Sequence, residues 1–172
     1  MKSISLRNTV NIQDREFHIH TGSFPDLSMI LSEVFEEGKF ITSKKIPFQA
    51  RNKEGREAGL KFLKSMASKF HRDTLEEVNM LFYVHSKVRP LKNYLPHFKL
   101  ATVFYDRNII PEAVENYEKA IELKKNYIPA YSHLGKCFLR IGNYKKAIEI
   151  LKKGLELQPE FPDLANSLGV SF

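Results

Sequence analysis

His18 and His20 stand two residues apart in TVNIQDREFHIH, a spacing that puts both imidazoles on one face of a strand and can serve a metal ion. No cysteine pair or carboxylate cluster completes such a site, since Asp14 and Asp26 are neighbours only in sequence, and a polar strand face is the simpler account. His71, His85, His97 and His133 are scattered over segments of helical period, where a lone histidine is usually structural. Cys137 lies beside an apolar stripe with nothing to ionise it, and reads as a small buried side chain rather than a nucleophile. No Gly-rich phosphate loop, H-E-x-x-H, C-x-x-C or G-x-S-x-G pattern occurs. The expectation is a protein that is not an enzyme, with no cofactor and no metal.

Charge supplies the other candidate chemistry. The chain carries a formal net charge of +7, and residues 39–72 alone hold ten Lys/Arg (Lys39, Lys44, Lys45, Arg51, Lys53, Arg56, Lys61, Lys64, Lys69, Arg72) against Glu54 and Glu57. Such a field attracts acidic protein segments, nucleic acid or anionic lipid, although a run of this kind also serves simply as a solvated helix face. Phe40, Phe48, Phe62 and Phe70 interleave with these cations, a pattern suited to phosphate contact with base stacking; Phe70, however, falls on the apolar stripe of its helix.

These residues must be positioned by elements that the hydrophobic pattern marks out. Residues 9–20 alternate as a short hairpin, with Val10 and Ile12 before a turn at Asp14-Arg15 and Phe17 and Ile19 after it. Over 23–38, Ser23, Pro25 and Gly38 punctuate a helix whose stripe is Leu27, Ile30, Leu31, Val34 and Phe35. A basic connector follows over 39–50, with a short strand around Phe40-Ile41 and an end near Pro47. From Arg51 onward everything reads as helix. One stripe is Leu60, Leu63, Met66, Ala67 and Phe70; Asp73-Thr74 caps a second, with Leu75, Val78, Leu81, Phe82 and Val88, which Pro90 ends. Further helices are expected at about 94–107, 111–124, 128–141, 144–157 and 162–172. The longest apolar runs are too short to span a bilayer, the N-terminus lacks the apolar core of a secretory signal, and one cysteine fits a reducing compartment. A cytoplasmic location is expected.

A period runs through the second half. Leu100, Leu134 and Leu168 are 34 residues apart, each followed by a small residue (Ala101, Gly135, Gly169) and, four positions on, by Phe104, Phe138 and Phe172. The beat continues through Ala113 and Ala147, Val114 and Ile148, Tyr117 and Leu151, and Ala120 and Gly154. Small residues let helix backbones approach and large ones fill the holes between units, so one unit alone cannot bury its apolar face.

This pattern resembles the tetratricopeptide repeat. Residues 128–161 match closely, through Tyr131, Leu134-Gly135, Phe138, Ala147, Leu151, Gly154 and Pro159. Residues 94–127 match with His97 for an aromatic, Ala101 for the glycine and Lys125 where proline is usual, and 162–172 matches only the first helix of a third unit. The expected fold is mainly α: an α-solenoid of stacked antiparallel helix hairpins with a short N-terminal β-hairpin and helix. Its parts would be 1–50, of unplaced family; 51–93, a helical hairpin that is either a degenerate repeat or an N-terminal cap; and the array 94–172. The sequence stops at Phe172 with Leu164 and Leu168 on the last stripe. That helix is a cap, a surface that pairs with another chain, or the edge of an excerpt from a longer array, the last being the reading adopted.

The resemblance implies that first helices of successive units line a concave groove. Carried over, the lining is Phe98, Lys99, Thr102 and Tyr105 with Leu95 and Asp106; Ser132, His133, Lys136 and Arg140 with Pro129 and Leu139; and Asn166 with Asp163, Ser167 and Val170. With a degenerate first repeat, Lys61, Lys64, Ser68, His71 and Arg72 would join them. The balance is basic with aromatic patches, so the expected partner is a protein or peptide segment, acidic with an apolar anchor, bound by a non-catalytic scaffold. Some members of the family clamp the C-terminal carboxylate of heat-shock chaperones with lysine, asparagine and arginine. The matching places hold Phe98, Thr102, His133, Asp163 and Ser167, and none fits. The other readings are self-association through the C-terminal helix, a basic adaptor for nucleic acid or an anionic surface through residues 39–72, and a regulatory or catalytic fragment in residues 1–50.

Overall fold

Alternation of apolar and polar residues builds the first part of the chain as a sheet. In a computed structural model, which describes residues 3–12, 14–49, 59–160 and 162–169, strands β1 (Ser5–Ile12), β2 (Arg15–Phe24), β3 (Met29–Glu36) and β4 (Lys39–Pro47) form one antiparallel meander in sequence order. The hairpin expected over 9–20 is present and longer, with Val10 opposite Phe17. The helix expected over 23–38 is not formed. Pro25 opens a single 3-10 turn, Pro25–Leu27, and Gly38, at φ +77°, makes the β3–β4 turn instead of stopping a helix. Its apolar stripe divides between strand faces: Ile30 and Val34 are buried, whereas Leu31 and Phe35 point the other way.

Helix α1 (Leu60–Val88) runs for 29 residues without a break. The helical hairpin expected over 51–93 is therefore replaced by one helix, and a degenerate repeat, which needs two antiparallel helices, is excluded there. Thr74 caps nothing, because its hydroxyl donates back to the Phe70 carbonyl at 2.8 Å, a bond made inside a continuing helix. Arg51, Lys53 and Arg56 of the basic stretch lie outside the described residues.

The chain divides into two compact units, Met1–Val84 and His85–Phe172. In the first, α1 lays Leu63, Ala67, Val78 and Phe82 on the sheet face made by Phe17, Ile19, Ile30 and Val34, all buried, with the Phe17 and Phe82 rings 4.4 Å apart. A polar chain crosses that core. His71 of α1 bonds Asn8 through Nε2 and Thr21 through Nδ1, both at 2.8 Å, and Thr21 bonds Ser32 at 2.7 Å.

The second unit is the helical array: α2 (Tyr94–Asp106), α3 (Ile110–Leu123), α4 (Ile128–Arg140), α5 (Tyr144–Leu157) and α6 (Pro162–Gly169). These stand where the pattern placed them. Leu134 and Phe138 are buried, as are Leu100, Phe104, Tyr117 and Leu151, and so are the small residues Ala101, Ala113, Ala120, Gly135, Ala147 and Gly154. The repeat extends to the backbone. Asn108 and Gly142, 34 positions apart, both take positive φ just past a first helix. The next N–H then reaches back five residues, from Ile109 to Phe104 and from Asn143 to Phe138, each at 2.9 Å.

Candidate groove on the first helices

Consecutive helices pack as antiparallel neighbours, and the first helices also meet directly: α4 touches α2 on one side and α6 on the other. A row of first helices in contact is the inner layer of a curved stack. The 34-residue period repeats side-chain directions from unit to unit, and α2 meets α4 twice in the same offset, Phe98 against His133 and Tyr105 against Arg140.

At the centre of this surface lies a cluster of half-exposed rings. Phe98 on α2 is edge-on to His133 on α4 (centroids 5.4 Å) and to Tyr127 (5.0 Å), and lies 5.6 Å from Tyr117 of α3. Tyr94 joins Tyr127 at 4.7 Å, and the Lys124 ammonium sits 4.4 Å from the Tyr94 ring, donating to its hydroxyl at 3.2 Å. The buried Tyr117 hydroxyl lies 3.1 Å from Thr102 Oγ1 and 3.2 Å from His133 Nδ1. Burial raises the Tyr117 phenol well above its ordinary value, so it stays protonated. Burial first, and then the neighbouring Lys136, lower the pKa of His133, while Asp163 and Asp106 pull it the other way.

Of the expected lining, Phe98, Thr102 and His133 come together in this cluster. Tyr105 lies under Arg140, whose guanidinium is 4.1 Å from the ring and donates to the Tyr105 carbonyl at 2.8 Å. Lys136 is 4.0 Å from Asp163. Lys99 and Asn166 are exposed. Ser132 is a correction: it is only 1% exposed, although it lies on the same side of α4 as the partly exposed Lys136 and Leu139. His71 and Ser167 are buried as well, and Val170 lies outside the described residues. The groove is thus less basic than its sequence suggests, because two of its three expected cations already have partners. Sequence reasoning missed Tyr94, Tyr127 and Lys124; the i, i+4 pair Tyr94 and Phe98 was the available signal.

The remaining candidates do not converge. His18 bonds Thr9 at 3.0 Å and pairs with Glu16 at 2.9 Å, while His20 stacks near Phe35, and no cluster of three metal-ligating side chains occurs among the described residues. The Cys137 thiol is fully buried and pushed up to about 12 by that burial, which keeps it protonated and inert.

Known proteins are similar to this chain in sequence or in fold. A family model described as Regulator of microtubule dynamics protein 1-3 matches residues 98–167. Hsp70-Hsp90 organizing protein 3 of Arabidopsis thaliana is 26% identical over 105 residues, covering 58% of this chain and 19% of that protein. Mitochondrial import receptor subunit TOM70 of Saccharomyces cerevisiae is 34% identical over 58 residues, covering 34% of this chain and 9% of its own. The chain therefore spans less than a fifth of the length of these relatives. Among solved structures, the second TPR domain of human RPAP3, in complex with the HSP70 peptide SGPTIEEVD, superposes with a TM-score of 0.50 at 18% identity, over 63% of this chain and 90% of that one, a likeness of fold. With its 34-residue beat, its paired helices and its buried small residues all in register, the helical half of this chain is a tetratricopeptide-like repeat array.

Proposed function

We propose that the second unit is a non-catalytic binding module that takes up a segment of a partner protein along the face of α2, α4 and α6. The observation that carries this is the half-exposed ring cluster Phe98, Tyr127 and His133, flanked by the exposed Lys99. Partly wet aromatic rings held rigidly by neighbours are the kind of surface on which a few contacts dominate affinity. Rings provide the apolar anchor and the exposed Lys99 favours an acidic segment. Relatives and neighbours with this fold include one solved with a bound peptide, which supports the same use. Among the described residues no helix is long and apolar enough to cross a membrane, and the reading places the module in the cytoplasm.

The test is selection of peptides from a random display library on the full chain, followed by anisotropy titration of the best binder. An acidic segment with an aromatic or aliphatic residue is expected, and Phe98→Ala should weaken it about tenfold or more. Selection of nothing, or affinity indifferent to Phe98, would sink the proposal. The peptide SGPTIEEVD should bind far more weakly than the selected one, since Asp163 stands where a carboxylate clamp needs a cation.

A second reading rests on α1, where Lys61, Lys64, Lys69 and Arg72 are all exposed with Ser65 on one side of the helix. Four cations on one helical face suit a phosphate backbone. Titration against single-stranded and duplex DNA at low salt tests it; no binding there removes it.

A further inference from the structure

The protonation of His133 in the ring cluster follows from the hydrogen bonds of its neighbours. Thr102 donates its single hydroxyl proton to the Phe98 carbonyl at 3.1 Å. Its oxygen then meets the Tyr117 hydroxyl, at 3.1 Å, as an acceptor, and Tyr117 spends its own single proton there. The contact of 3.2 Å between Tyr117 and His133 Nδ1 must therefore be supplied by a proton on the ring. Reversing either hydroxyl leaves two oxygens, or an oxygen and a nitrogen, facing each other with no proton between them. The relay runs one way, from His133 through Tyr117 and Thr102 to the Phe98 carbonyl, and it fixes the imidazole as the Nδ1–H tautomer.

We infer that His133 presents a bare Nε2 to the groove and accepts a hydrogen bond there from an N–H of the bound segment. Among the described residues Nε2 has no hydrogen-bond partner, and the residue is half-exposed. Phe98 edge-on at 5.4 Å and the Tyr117 ring at 5.5 Å hold the plane of the imidazole, so the lone pair points in a set direction. The groups around it set its charge: Lys136 on its own helix and burial oppose a proton, while Asp106 on α2 and Asp163 on α6 favour one, and the balance falls on the neutral side. A neutral acceptor repels a carboxylate oxygen. The acidic side chains of a partner belong near Lys99, and the middle of the groove reads a donor, the backbone amide being the one that any extended segment carries. This specificity rests on the peptide-groove reading proposed above and sharpens it.

Two measurements test it. Long-range 15N–1H correlation on the full chain labelled at histidine, with His133 assigned by its loss in His133→Asn, should show Nδ1 protonated and Nε2 bare at neutral pH. An Nε2–H tautomer or an imidazolium would overturn the inference. With the display-selected peptide as probe, His133→Gln, which keeps an acceptor at the end of its side chain, should bind within about threefold of the parent, whereas His133→Leu should lose about tenfold. Equal affinity of His133→Leu and the parent would also overturn it, while leaving the groove itself standing; failure to select any peptide would instead bring down the groove.

Discussion

Gly135 shows how little room a single position in the array has. A Cβ built there would lie 2.4 Å from Cδ2 and 2.6 Å from Cγ of Leu151, a side chain with no exposure. The α4 backbone can approach α5 closely only because that methyl is missing. Gly135→Ala gains about 1 kcal/mol of helix propensity, but forcing a methyl into a filled core costs about 1–3 kcal/mol. Leu151 cannot swing away, since it is packed with Ile128 and Tyr131. The overpacking wins. Urea unfolding followed by circular dichroism should give a net destabilisation on the order of 1 kcal/mol, and Gly135→Ala with Leu151→Ala should recover part of the loss that Leu151→Ala alone produces. A stabilised Gly135→Ala would mean that the close helix approach is not what the small residue is for.

Among elements, α1 and the sheet depend on each other through one buried imidazole. His71 reaches both Asn8 of β1 and Thr21 of β2, and burial holds its pKa below the ordinary 6.5. In the unfolded chain the same group takes up a proton near 6.5, so between that value and the lower folded one the unfolded state binds more protons. The contribution of His71 to stability is therefore complete above the ordinary value and declines as pH falls through it. Urea midpoints should drop between pH 7.5 and pH 5.5, and His71→Gln, less stable at the higher pH, should show a smaller drop; an identical pH slope in the two proteins would refute the linkage. The same elements show what the sequence hides. Leu27, Ile30, Leu31, Val34 and Phe35 satisfy helical spacing, yet a strand with apolar residues on both faces produces the same spacing, and Pro25 and Gly38 punctuate turns as well as helix ends. Asp73-Thr74 has the residue types of a cap, but a threonine can also bond back within its own helix. By contrast α2 to α6 were legible because a 34-residue repeat tests every assignment against its copy. On the candidate groove, direction followed from the period, which brings Phe98, Thr102 and His133 together, whereas Ser132 is buried, and spacing along a helix does not record how deeply a position is covered.

For the whole molecule, the division between units falls inside α1, and that makes a cut in the right place informative. Starting a fragment at residue 51 removes β1 to β4 and uncovers Leu63, Ala67, Val78 and Phe82, of which the leucine, valine and phenylalanine each lose about 1.5–3 kcal/mol of burial. Starting it at His85 leaves that apolar stripe out altogether, while keeping His85, which is buried with its ring edge-on to Phe104 at 5.2 Å. Every residue of the ring cluster lies beyond that point. The fragment 85–172 should therefore be monomeric and helical, and should bind the display-selected peptide within about threefold of the full chain. The fragment 51–172, longer by 34 residues, should bind hydrophobic dye and associate, because it carries one face of a core without the other. The ordering matters more than either result alone: if the longer fragment were the better behaved, the first part of α1 would be a cap that the array requires, and the helical half could not be treated as a module that folds by burying neighbour on neighbour.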